Sequence, residues 1–287
     1  MSNSQKGFGI VRHSRMRRAI GFLLASIVSL SGLRAVEGQA PATSGSRIWI
    51  GRYAEFEEFL RTAEIVDTKG TPIGVMAPRH VFFKPGGLAA GGALKAIEPG
   101  KYDGYWESYK SEIAAYKLDR LLALDMVPPT VEVRVGGPRG KPASLQLWIE
   151  NTIMLKEMQA RHLEPPDNAK WNRQLHRLYL FDDLAANIDE NEGNLLFDRD
   201  WNFIKIDHSR AFTDTLEQPF ELGRKLAQID RPLFDRVKRL DRETVRREIG
   251  ALLETGALNA LFVRRDAIVT ALERLAQQKG AAVVFVP

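Results

Sequence analysis

Cysteine is absent from this 287-residue chain. That excludes disulfides, thiolate-bound metals and a cysteine nucleophile, and it leaves the redox compartment open. Histidine is scarce: His13, His80, His162, His176 and His208 are the whole set, and none are paired at a metal-site spacing. No G-x-S-x-G elbow occurs, so a hydrolase serine has no support. Internal repeats are missing, and the polar linker Gln39 to Ser46 is the only low-complexity tract. The N-terminal apolar run, Ala19 to Leu33, has 15 residues, short of the roughly 20 that a membrane helix needs.

What is present begins with that run. "RHSRMRR" (Arg12 to Arg18) is a positive flank, the apolar run follows, and "GQA" (Gly38 to Ala40) offers small residues at a cleavage site. Residues 1–40 therefore read as a signal peptide, with an uncleaved anchor as the alternative. A second methionine, Met16, could itself start a compact signal. The expected location is outside the cytoplasm, periplasmic or secreted, with membrane contact only through this segment. The first 40 residues hold six Lys/Arg and one Glu; without them the chain has 41 − 6 = 35 basic and 36 − 1 = 35 acidic residues. The basic excess belongs to the export segment and gives no support to a nucleic-acid partner.

The remainder divides near Glu150. In residues 41–150, "AEFEEFLRTA" reads as a short amphipathic helix, and "EIVD" (Glu64 to Asp67) and "HVFFKP" (His80 to Pro85) as strands. "TKGTPIG" (Thr68 to Gly74) lies between those strands as a turn, and "GGLAAGGA" (Gly86 to Ala93) is a second glycine-rich stretch. Tyr105 to Asp125 predicts a long helix, since Ile113, Tyr116, Leu118, Leu121 and Leu122 recur near the helical period. Pro128 and Pro129 end it and open a strand that pairs with "SLQLWIE" (Ser144 to Glu150). Residues 151–287 turn helical: Asn172 to Ala186, a helix capped by Asp241 and stopped at Gly256, and a last helix ended by Gly280.

Chemistry concentrates in "NIDENEGNLLFDRDWNFIKIDHSRAF", Asn187 to Phe212. "LLFD" and "FIKID" predict a hairpin that brings Asn194 beside Asp207. An amide oxygen next to a carboxylate makes a hard site for Mg²⁺ or Mn²⁺ bridging phosphates. Asp189 on the preceding loop could take the proton of an attacking hydroxyl. This D-x-x-x-x-N run followed by a strand-end Asp has the layout of kinase catalytic and metal loops; the bland alternative is that all three are turn formers. Upstream, Lys84 ends an apolar strand, where its ammonium could reach phosphates, and Glu112 lies on the one good helix, placed to pair with it. Taken singly these would be an exposed strand end and a solvated helix face.

"SEIAAYKLDRLLALDMVPPTV" (Ser111 to Val131) resembles the helix of the secretory-pathway kinases, the Golgi casein kinase and glycosaminoglycan xylosylkinase family, here as a bacterial-type member. "FDDLAANIDENEGNLLF" is similar to that family's catalytic loop, and "IDHSRAF" to its I-D-x-x-x-x-F metal segment. The resemblance implies an α+β, two-lobed, atypical protein-kinase-like fold. Residues 41–150 would be the β-rich N-lobe with one main helix, and 151–287 the larger helical C-lobe. It further implies ATP and Mg²⁺ or Mn²⁺ as cofactors and a protein or carbohydrate hydroxyl as acceptor. Carried over by position, Lys84 would hold the phosphates, Glu112 would pair with it or assist a metal, Asp189 would be the base, and Asn194 and Asp207 would hold the metal. Trp148 and Glu150 would lie at the hinge near adenine. The loop over the phosphates would be "KGTPIG" with Gly70 and Gly74, or alternatively "GGLAAGG". Where the family has basic residues after its catalytic Asp, this chain has Glu190 and Asn191. That departure motivates a second reading, a pseudokinase or nucleotide-binding interaction module. Nucleotidyl transfer on the same fold is a third.

Overall fold

A computed structural model describes residues 47–70, 78–189, 191–216 and 228–287. The expected signal peptide in residues 1–40, Gly74 and Glu190 lie outside them. The first helix, α1 (Tyr53–Thr62), buries Phe56 and Leu60. Strands β1 (Ile65–Gly70), β2 (Arg79–Phe83) and β3 (Gly91–Lys95) follow, then the small pair β4 (Gly100–Tyr102) and β5 (Tyr105–Glu107). Helix α2 (Tyr109–Leu122) leads to β6 (Thr130–Val135) and β7 (Lys141–Leu147). The main sheet runs β1-β2-β3-β7-β6, antiparallel throughout.

Three elements differ from the sequence-based expectation. The long helix starts at Tyr109, because Ser108 is extended and its hydroxyl accepts the amide of Lys110 at 3.0 Å; Tyr105–Glu107 pairs with β4 instead. The glycine-rich stretch Gly86 to Ala93 runs into a central strand. Glycine there answers to packing rather than to turning: a Cβ on Gly91 would lie 2.5 Å from the carbonyl oxygen of Val81, and one on Gly92 2.7 Å from Leu145. The Asp241-capped helix stops at Ile249, where residues 250–252 tighten into a 3₁₀ turn.

Strand pairing sorts the sheet residues onto two faces. Val81, Phe83, Leu94, Val131, Ala143, Leu145 and Leu147 point one way and pack with Trp49, Phe56 and Leu60. The opposite face carries the cross-strand rows Lys69–His80–Ala93–Gln146–Thr130 and Lys95–Ser144–Glu132. Helix α2 packs on β6 and β7, and the hydroxyl of Tyr109 donates to Glu132 at 3.0 Å.

The second half comprises β8 (Ile153–Met154), α3 (Leu155–Ala160), α4 (Asn168–Ala185), β9 (Leu195–Phe197) and β10 (Phe203–Lys205), then β11 (Ile229–Asp230), α5 (Arg231–Arg239), α6 (Arg242–Ile249) and α7 (Thr255–Lys279). Strands β9 and β10 form the expected hairpin, with Asp198 accepting the amides of Asp200 and Asn202 across its turn. Asp167 caps α4 by accepting the amides of Ala169 and Lys170. One apolar core joins α2, α4, the hairpin and α7, through Leu118, Leu122, Phe181, Leu184, Phe203 and Leu261 among others. Among the described residues, no helix is long and apolar enough to cross a membrane.

Asp119 sits at the α2 end of this core, fully buried, accepting the amides of Met126 and Val127 at 3.0 and 3.1 Å. Burial pushes its carboxyl up to about 7, against the lowering pull of those two amides. The unfolded value is about 3.9, so folding takes up a proton between the two. This group's contribution to stability is therefore full at low pH, declines as pH rises through that interval, and is level above it. Asp119→Asn, which keeps the acceptor oxygen, is expected to flatten that decline. Denaturant melts at pH 5 and 7.5 should show a smaller stability loss in the variant than in the parent; equal losses would assign the slope to other groups.

Candidate active site

Lys95 ends β3 on the face turned toward α2, and its ammonium lies between two carboxylates. Nζ is 2.6 Å from Oε1 of Glu112 and 2.7 Å from Oδ1 of Asp207. The Lys95 side chain is 13% exposed and that of Glu112 only 2%, so the pair is shielded from bulk water. Burial works against the ammonium, but the two carboxylates outweigh it and hold the Lys95 pKa above its ordinary value. Burial likewise opposes the Glu112 charge, and Lys95 overcomes it and lowers the carboxyl.

The lysine expected at this place was Lys84, and the structure puts it elsewhere. Strand β2 ends at Phe83, and the Lys84 side chain is 68% exposed with its ammonium on Glu64, 3.0 Å away. Strand β3, which opens on glycines, intervenes and brings Lys95 to Glu112 instead. The available signal was "ALKAI", a lysine inside an apolar run, masked by the four glycines before it.

The segment after β10 is stitched to α2. The second oxygen of Glu112 accepts the amide of His208 at 3.0 Å. Ser108 donates its amide to the carbonyl of Ser209 at 2.9 Å, and the hydroxyl of Ser111 donates to the carbonyl of Ala211 at 3.1 Å. Asp207 takes a left-handed backbone, φ 63°, a costly conformation for a non-glycine residue that the surrounding bonds hold in place. His208, buried with its amide on Glu112, helps to fix that turn.

On the other side of the hairpin, the Asn194 side chain donates from Nδ2 to the carbonyl of Asp189 at 2.9 Å, which leaves the amide oxygen as its ligand-capable atom. The amide of Ile206 donates to the Asn194 carbonyl at 3.1 Å, so Asn194 and Asp207 flank the same end of the β9–β10 ladder. Among the described residues, no group of three His, Asp or Glu could hold a metal by itself. An Asn and an Asp with an open second carboxylate oxygen suit an ion such as Mg²⁺ that keeps several waters and takes ligands from phosphates.

Asp189 faces Arg210, whose place in the sequence carries no local sign of this contact. One guanidinium nitrogen of Arg210 is 3.3 Å from Oδ2 of Asp189. Its Nε and other nitrogen donate to Oε1 of buried Glu107 at 2.9 and 2.8 Å. Arg210 thus places a cation beside Asp189. Burial raises the Asp189 pKa, Arg210 lowers it, and Asp207 and Glu107 raise it; the net is upward.

Of the remaining expected residues, Gly70 ends β1 opposite Arg79, and residues 71–74 of the "KGTPIG" stretch lie outside the described residues. The "GGLAAGG" alternative begins in the β2–β3 turn and runs into β3, with Gly91 and Gly92 inside the strand. Trp148 and Glu150 directly follow β7, and the Trp148 ring stacks on His80 with centroids 3.7 Å apart and planes 12° apart.

This geometry joins comparison with known proteins. No protein-family model matches the chain, and no curated protein matches it. Solved structures do. The Golgi casein kinase superposes with a TM-score of 0.63 at 14% identity, over 82% of this chain and 78% of that one. Its Mn/ADP-bound form gives 0.63 at 13% over the same shares. The hydra Fam20 structure with sugar gives 0.64 at 14%, over 82% and 92%. At these identities the likeness is one of fold: the chain has a two-lobed, atypical kinase-like fold.

Proposed function

We propose that this protein is an exported, ATP- and divalent-metal-dependent phosphotransferase acting on a hydroxyl of a protein Ser/Thr or a sugar. The observation that carries the reading is the Lys95–Glu112–Asp207 cluster, a lysine ammonium held between a helix and a strand-end carboxylate. Nothing in ordinary core packing calls for it, whereas phosphoryl transfer uses such a fixed cation to bind the non-transferring phosphates. The Golgi casein kinase structure with Mn/ADP bound and the Fam20 structure with sugar support the cofactor and acceptor classes.

In this reading Lys95 neutralises phosphate oxygens, and Glu112 keeps the lysine in place. Asn194 and Asp207 would hold the metal, which when bound adds positive charge against the phosphates. Asp189 orients the acceptor hydroxyl and takes its proton as the new O–P bond forms and the bond to the leaving ADP breaks. Its raised pKa favours keeping that proton. Arg210 holds Asp189 in position and balances its charge. Export rests on the N-terminal segment, and the acceptor would be met outside the cytoplasm.

The test is thermal stability of the chain with ATP and Mn²⁺ or Mg²⁺, run beside Asp207→Ala and an ADP-release assay. A metal-dependent stabilisation and turnover are expected, both lost in the variant. Turnover retained in Asp207→Ala would remove its metal assignment. Stabilisation without turnover would favour a nucleotide-binding module.

A further inference from the structure

The sheet face that carries Lys95 also carries a cluster of aromatic rings. His80 pairs with Ala93 across β2 and β3, and Ala93 is two residues before Lys95 on the same side of the same strand. Two residues along a strand span about 6.6 Å. The aromatic cluster therefore lies one cross-strand row from Lys95 on the same face. At this place the His80 imidazole lies parallel on Trp148 at 3.7 Å, with the Phe82 ring against it at 4.2 Å. The amide of Trp148 donates to the carbonyl of Gly91 at 3.1 Å, which fixes the indole beside the sheet.

Room for the imidazole comes from Gly91. A Cβ at Gly91 would lie 2.8 Å from Nε2 of His80, so the missing side chain creates a slot that the histidine fills. The occupant is poorly satisfied there: Nε2 of His80 is buried and has no hydrogen-bond partner among the described residues. A buried, unpaired ring nitrogen costs free energy that would be recovered if the ring moved into water. Burial also lowers the His80 pKa, with Glu150 pulling it up and Lys69 pushing it down, consistent with a neutral ring.

We propose that Trp148 is the stacking platform for the nucleobase and that His80 occupies the base position until the base displaces it. This inference rests on the nucleotide-dependent reading of the Lys95 cluster. The slot takes a flat heteroaromatic ring, and the imidazole, itself flat and heteroaromatic, fills it when no base does. Exchange costs the His80–Trp148 contact and regains the Trp148–base contact together with hydration of Nε2. Affinity for nucleotide is therefore set by the competition between histidine and base.

Two substitutions at one residue test it, with opposite expected signs. His80→Ala empties the slot and should tighten ATP binding roughly three- to tenfold. His80→Phe keeps the stack without the unpaired nitrogen and should weaken ATP binding. Trp148→Ala removes the platform and should weaken it about tenfold or more, as loss of base stacking does. Inorganic tripolyphosphate with Mn²⁺ has no base, so its affinity should be the same in all four proteins. Binding is read by calorimetry on the full chain. If tripolyphosphate binds but His80→Ala and His80→Phe change ATP affinity in the same direction or not at all, this inference falls and the phosphotransferase reading stands. If neither ATP nor tripolyphosphate binds, both fall.

Discussion

Lys95→Met is expected to lower kcat/KM for nucleotide-dependent phosphoryl transfer by on the order of 10²–10³, the usual cost of removing one pre-placed electrostatic contact from a reacting centre. Lys84→Met should leave the same rate within roughly a factor of two, because an exposed pair of this kind contributes little. The contrast follows from placement. Lys95 is enclosed by Glu112 and Asp207, and Lys84 lies on Glu64 at the surface. Removing the Lys95 ammonium also strands the buried Glu112 carboxylate, so part of any loss could come from unfolding. The double variant Lys95→Met, Glu112→Gln separates these effects: it should regain stability relative to the single variant without regaining turnover. Activity lost in Lys84→Met and kept in Lys95→Met would reverse the assignment.

The fold was readable wherever local chemistry and burial agreed. Helix α2 announces itself through Ile113, Tyr116, Leu118 and Leu122, and the hairpin through two apolar runs around the Asp198 turn. The Asn194 and Asp207 pairing follows from that hairpin alone, since a strand register fixes which ends meet. The central lysine was not readable in the same way. Strand β3 has Gly91, Gly92 and Ala93 where strands usually show branched side chains, because Val81 and Leu145 crowd the first two and leave no space for a Cβ. Glycine selected by close packing looks in sequence like glycine selected for a turn. Arg210 was hidden for another reason. Its partners Glu107 and Asp189 are 103 and 21 positions away in the chain (210 − 107 and 210 − 189), so no local pattern pairs them. His80 and Trp148 likewise meet only once β2, β3 and β7 are in register.

The second large effect concerns a charge pair beneath the site. Lys205 on β10 and Asp182 on α4 are both 0% exposed, with Nζ 2.8 Å from Oδ1, and Asp182 also accepts from the Asn187 side chain at 3.1 Å. Burial raises the Asp182 pKa while Lys205 pulls it down, and burial prevails. Asp182→Ala leaves a buried ammonium without this partner and is expected to destabilise the protein by about 3–5 kcal/mol. At this chain length that is a fall of roughly 5–10 °C in Tm. Asp182→Leu with Lys205→Met removes both charges while keeping the volume, and should recover most of the loss. What the double variant does to nucleotide binding tells why the pair is there. Lys205 is two residues before Asp207, and its amide donates to the carbonyl of Met126 at 2.9 Å, so the ion pair is placed to fix the strand that presents Asp207. If the pair serves orientation, the recovered protein will bind nucleotide more weakly in the presence of Mn²⁺ than the parent does. If it serves stability alone, the two will bind equally, and the strand will be shown to hold its register through apolar contacts of Phe203 and Ile204.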